Sequence, residues 1–279
     1  MTSHPAPAAA PPDLLAAIVA TARRMVDVRR EQVSDAALED RVGRGRRPDG
    51  EAFVRALRDG ASPRVIAECK RRSPSRGILR EDYRPADHAR AYTQAGAAAI
   101  SVLTEPTFFD GALAHLEEVR AAVATPLLRK DFIVERYQLL EAAAAGADAA
   151  LLIVGALDPA SLRARLADAR ALGLAALVEV HDADELRVAV DAGAEVIGVN
   201  SRNLRTLAVD PAVLDAVGAA IPRGVTGVAE SGLRHPGDLA RLRATGYSAF
   251  LIGERFMSDP DPGGSLRALI KAASEEVVR

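Results

Sequence analysis

One cysteine in 279 residues leaves no partner for an internal disulfide and no basis for a cysteine-built zinc cluster. Five histidines contain no H-x-x-x-H or comparable ligand pair, so no metal is expected. No apolar run approaches the roughly 20 residues a spanning helix needs, and no membrane partner is expected. Charge of one sign is also lacking: 36 basic residues stand against 38 acidic ones, spread along the chain. That balance provides no basic stripe for nucleic acid. The short run Arg44, Arg46 and Arg47 lies among Gly and Pro and reads as a solvated linker.

What remains is the composition of a soluble globular protein, 49% hydrophobic and 27% charged. The length suits one large α/β barrel or two ordinary domains and does not choose between them. The opening MTSHPAPAAAPPDLLAAIVATA lacks the positive start of a signal peptide. Its apolar stretch runs on into Arg23, Arg24 and a helical pattern, so a cytoplasmic location is expected.

Residues 1–12 are rich in Ala and Pro and read as a disordered tail. Residues 13–62 read as a helical extension. Leu14, Leu15, Ile18, Val19, Ala22, Met25 and Val26 recur at helical spacing behind Asp13, which stands where an N-cap belongs. A second short helix is expected from near Ser34 and a third over 50–59, separated by the Gly/Arg/Pro stretch 43–50.

From residue 63 to 279 the pattern changes. Eight apolar or β-branched segments follow, with starts 20 to 32 residues apart: 65–70, 97–104, 125–132, 149–154, 175–181, 195–203, 224–231 and 248–253. Helical stretches rich in Ala, Leu and Arg lie between them, and AGA at 95–97, 145–147 and 192–194 marks helix ends running into strands. Such units form a parallel sheet covered by helices. Eight of them predict a closed (β/α)8 TIM barrel, forming one structural unit with the extension. An open doubly wound sheet would want a Gly-rich phosphate turn after its first strand, and here that strand ends in Glu-Cys-Lys-Arg-Arg-Ser.

Barrel enzymes draw their reactive groups from the carboxyl ends of the strands. Those ends supply Glu68, Lys70, Lys130, Glu179, Asn200, Arg202, Glu230 and Ser231. Side chains alternate along a strand, so Glu68 and Lys70 share a face while Cys69 points to the helices as an inert core thiol. The same alternation aims Asp131 away from the axis. His181, just past its strand, reads as solvated or capping. Grouping three carboxylates with two ammonium groups at one mouth is costly unless they pair, and points to a reaction site. Phosphate often binds between the loops after the seventh and eighth strands. Here those loops carry Gly232 and Gly253, with Lys70 close by once the barrel closes. Arg255 reads as exposed or salt-bridged.

The blocks IAECKRRSPSRG (66–77), SVLTEPTFFDG (101–111), PLLRKDFIV (126–134), LVEVH (177–181), GVNSRNL (198–204), AESG (229–232) and FLIGERFM (250–257) resemble indole-3-glycerol phosphate synthases. The resemblance runs in order from about Asp13 to the end. It implies a cofactor-free lyase of tryptophan biosynthesis acting on a small sugar phosphate, as a monomer or weak homodimer, with extra N-terminal helices over the catalytic face. It also implies roles: Lys130 as general acid for ring closure, Glu179 in proton transfer during dehydration, and Lys70 binding substrate with a possible share in the acid role. Glu68, Asn200 and Glu230 would hold sugar hydroxyls and orient the lysines, while Arg202 and Ser231 would contact substrate. Ser73, Gly232, Gly253 and Glu254 would bind phosphate, Glu254 through its N–H with its side chain turned away. Phe109 and Phe132 would wall the aromatic ring. Two rivals fit less well. A phosphosugar isomerase would want an Asp/Cys acid–base pair, and Cys69 faces the wrong way. A non-catalytic barrel would be expected to lack Lys130 or Glu179.

Overall fold

The computed structural model describes residues 13–60 and 63–276; the tail expected over 1–12 lies outside them. Eight parallel strands close in chain order: β1 Arg64–Cys69, β2 Ala99–Leu103, β3 Leu127–Lys130, β4 Ala149–Ile153, β5 Ala175–Val180, β6 Val196–Asn200, β7 Thr226–Glu230 and β8 Tyr247–Ile252. The ring closes where β1 pairs with β8, with Ile66 opposite Leu251. Helices cover the outside, and the predicted (β/α)8 barrel is the observed architecture. Gly96, Gly146 and Gly193, the centres of the three AGA tripeptides, are left-handed with φ of 92°, 88° and 83°, a conformation a β-carbon would penalise.

Strand alternation divides the core into two layers. Val65, Ala67 and Cys69 of β1 pack outward with Ile100, Val102, Val178, Val180 and the helix faces. Ile66 packs inward with Ala99, Leu128, Ala149, Leu177, Val196, Val228 and Ala249. Further along the same inward rows the side chains become polar: Glu68 follows Ile66, Lys130 follows Leu128, Glu179 follows Leu177, and Glu230 follows Val228. The barrel is thus apolar at its floor and charged at its mouth.

Three helices precede the barrel: α1 Leu14–Gln32, α2 Asp35–Arg44 and α3 Gly50–Arg58. Asp13, Ser34 and Asp49 cap them, each accepting a backbone N–H from three residues on. They do not all lie over the mouth, as the resemblance implied. α1 does, and its Leu14 and Ile18 line the mouth cavity. α2 packs beside the helix Arg136–Ala144. α3 closes the opposite end, where Phe53 and Leu57, both fully buried, join the inward layer of the floor. The cause lies in the floor itself. The inward row begins with small or branched apolar residues that leave space for two large side chains. Arg58 also reaches the start of β7, with Nε 3.3 Å from Thr226 Oγ1.

Candidate active site

Every residue put forward from the strand ends and the resemblance lines one cavity of about 460 Å³ at the carboxyl end of the barrel. Its centre is the Lys130 ammonium, 3.0 Å from Glu179 Oε2 and 3.2 Å from Glu230 Oε2. Glu179 and Glu230 are about 1% exposed, so this charge cluster sits where water screens it little. Burial opposes the charge on Lys130, but Glu179, Glu230 and Glu68 together outweigh it and hold the ammonium above the ordinary lysine range. The two carboxylates diverge. Burial disfavours the charge on both, yet Lys130 and His181 hold Glu179 below the usual carboxylate range. Glu230 is pushed up to about 8 by burial and by the neighbouring charge on Glu179, with Lys130 only partly offsetting them. The two carboxylates are thus set apart, Glu179 toward its ionised form and Glu230 toward its protonated form. Glu230 Oε1 is buried with no protein partner.

Lys70 enters from the end of β1, with Nζ 2.5 Å from Glu68 Oε1. Asn200 Oδ1 accepts the Arg202 backbone N–H at 3.0 Å, which leaves its amide NH2 for a ligand. Phe109 and Phe132 stand with ring centroids 6.2 Å apart, inclined at 36°, and form one apolar wall. After β7, Ser231 and Gly232 are successive left-handed residues with φ of 65° and 72°. Gly253 starts the short helix Glu254–Met257 after β8. Ser73 comes from a small hairpin, Arg72–Ser73 with Gly77–Ile78, that rises beyond β1. Cys69 lies outside this constellation, in the outer layer. Asp131 borders the cavity with its carboxylate engaged: Oδ2 accepts from Arg129 Nη2 at 2.9 Å and Thr104 Oγ1 at 2.6 Å.

Two side chains differ from expectation. Glu254 is not turned away: its carboxylate bridges Arg76 Nε and Arg202 Nη2, each at 3.2 Å, across the rim. Two arginines from separate loops attract it inward. His181 is not solvated. Its side chain is 15% exposed and lies between Glu179 Oε1 at 3.4 Å and Glu185 Oε2 at 3.0 Å. The chain bends directly after β5 and folds the ring back onto the strand end. The sequence reading passed over Glu185 and Arg76, and named Leu14 and Ile18 for their helical spacing without assigning them to the cavity wall. The spacing of His181 and Glu185, with Asp182 capping the helix Ala183–Asp191 between them, is the signal that could have found the first. Arg255 bonds the Arg234 carbonyl at the rim.

A barrel with an acid–base cluster at its mouth, an apolar wall beside it and glycine-bearing loops after β7 and β8 is that of a phosphosugar-handling enzyme of the (β/α)8 class. The sequence profile of indole-3-glycerol phosphate synthase matches residues 15–269. The indole-3-glycerol phosphate synthase of Aromatoleum aromaticum is 48% identical over 89% of this chain and 91% of its own. Indole-3-glycerol phosphate synthase 2 of Streptomyces coelicolor is 47% identical over 92% and 98%. Among solved structures, a mandelate oxidase variant shares the barrel with a TM-score of 0.59 at 22% identity, covering 77% of this chain and 73% of its own. At that identity the likeness is of fold alone. The chain belongs to the indole-3-glycerol phosphate synthase family.

Proposed function

We propose that this chain closes, decarboxylates and dehydrates 1-(2-carboxyphenylamino)-1-deoxyribulose 5-phosphate, giving indole-3-glycerol phosphate, CO2 and water. The observation that carries the residue roles is the Lys130 ammonium held between Glu179 and Glu230 on the cavity floor. In ring closure the ring carbon bearing the carboxylate attacks the sugar C2 carbonyl, whose oxygen gains negative charge. Lys130, kept protonated by its carboxylates, donates to that oxygen as a positioned acid. The C–CO2 bond then breaks, and its electrons restore the aromatic ring. In dehydration the new hydroxyl leaves as water, with a proton from one of the two lysines. Glu179, ionised, takes the proton released from the closing ring.

Glu230, whose Oε1 has no protein partner, can meet a sugar hydroxyl, and the amide NH2 of Asn200 can donate to one. Glu68 orients Lys70. Phe109 and Phe132 flank the aryl group, and Arg202 and Ser231 contact the substrate. Ser73, Lys70 and the backbone of Gly232, Gly253 and Glu254 receive the phosphate. α1 covers the mouth and excludes water, which strengthens each charge interaction inside. The steps use side chains alone and call for no cofactor. A cytoplasmic location suits this metabolism, and no helix among the described residues is long and apolar enough to cross a membrane.

The test is a fluorescence assay of the purified protein on this substrate with EDTA present. Indole emission is expected, and Lys130→Ala is expected to lower turnover roughly 10²–10⁴-fold. Unchanged turnover in that variant would remove Lys130 from its role. Absence of product with the wild-type chain would remove the activity.

A further inference from the structure

Glu179 meets Lys130 through Oε2 only. Its other oxygen, Oε1, is buried without a hydrogen bond, and so is Nε2 of His181, 3.4 Å away. The opposite side of the His181 ring is clamped. Glu185 Oε2 lies 3.0 Å from Nδ1 and also accepts the His181 backbone N–H at 2.7 Å. Glu185 itself sits in the first turn of the helix Ala183–Asp191, where Asp182 caps its N–H at 2.8 Å. A continuous row therefore runs Glu185, His181, Glu179, Lys130, Glu230, from a fixed helix start to the middle of the cavity.

The terminal torsion of a glutamate is broad, so a buried carboxylate held at one oxygen is poorly oriented. A cation at the second oxygen fixes both its plane and its charge. We infer that His181 is the positioning residue of Glu179: clamped by Glu185, its ring holds Oε1 and so presents Oε2 to Lys130 and the substrate. This rests on the role given above to Glu179. The electrostatics agree with the geometry. Burial works against charge on the ring, but Glu179 and Glu185 together push the imidazole up to about 10, so Nε2 carries a proton to offer. The arrangement is the carboxylate–imidazole pair of hydrolytic sites with the order inverted. Here the imidazole steadies the carboxylate.

The experiment compares His181→Leu and His181→Gln, each alone and in a Glu179→Gln background, by steady-state and single-turnover fluorescence. His181→Leu is expected to lower kcat roughly 10- to 100-fold, the scale of a misplaced reacting group, with KM close to wild type. His181→Gln, whose amide can reach Oε1, is expected to recover most of the loss. In the Glu179→Gln background, His181→Leu is expected to add nothing, because its effect passes through Glu179. Wild-type kcat in His181→Leu, an equal loss in both backgrounds, or no recovery with glutamine would each overturn the inference. Should His181→Leu fail to fold, Glu185→Leu removes the clamp from the half-exposed side; lost turnover there supports the inference and full turnover overturns it. The two readings fail differently. Full turnover in Glu179→Gln alone removes the role of Glu179, whereas an inactive Glu179→Gln beside a fully active His181→Leu overturns the positioning alone.

Discussion

A β-carbon added at Gly198 would stand 2.1 Å from Glu230 Oε1, and one at Gly253 would stand 2.3 Å from Glu68 Oε1. Both glycines leave room for a carboxylate from a neighbouring strand. Glu230 can yield at its flexible end, so Gly198→Ala is expected to fold but to push Glu230 off Lys130. The expected loss of turnover is about 10-fold or more, the order set by small misplacements in a reacting geometry. Kinetics together with a thermal melt would check that turnover falls while stability does not. His181 gives a pH prediction. Its folded-state value is raised from 6.5 to about 10, so its stabilising contribution is complete below about 6.5 and is lost as the pH rises through about 10. The stability difference between the wild type and His181→Gln, read from urea melts, is expected to shrink across that window. A constant difference would mean the ring is not charged in the folded protein. At this scale strand alternation was legible: it told Glu68 and Lys70 from Cys69 without coordinates. His181 was not legible, because alternation stops where a strand stops and the next bend decides which way a side chain points.

Among the elements, α1 and α3 serve opposite ends of the barrel. α1 places Leu14 and Ile18 in the cavity wall. It is anchored by Arg29, whose Nε lies 2.6 Å from Glu141, and that carboxylate also pairs with Arg129, beside Lys130 on β3. Deleting the chain through Val33 is therefore expected to lower both turnover and melting temperature. If that deletion leaves both intact, α1 is not a cover for the site. α3 contributes Phe53 to the floor, far from the chemistry. Phe53→Ala is expected to cost about 3–5 kcal/mol in a denaturant melt, with the Michaelis constant little changed. The amphipathic pattern told that each helix buries a face. It did not tell which end of the barrel receives it, because an apolar stripe specifies burial and not a partner.

For the whole molecule, the extension and the barrel share one core. Phe53 and Leu57 lie in the same layer as Ile66 and Leu128. The buried Asp148, at the start of β4, pairs with Arg46 at 2.7 Å and Arg120 at 3.1 Å and accepts the Asp49 N–H at 3.0 Å. Removing any one group from such a buried pair is costly. The chain is accordingly expected to unfold in a single transition, with coincident signals from barrel and extension. Two separated transitions in calorimetry would show an independently stable barrel. The strand count, the closed barrel and the inward charged rows followed from the sequence because they depend on short-range periodicity, which each segment carries in its own residues. The contacts between distant segments were decided only by the tertiary structure: Glu254 between Arg76 and Arg202, and α3 beneath the floor. Each joins side chains from separate loops or elements, and their meeting depends on how the closed barrel sets those segments in space rather than on any local pattern.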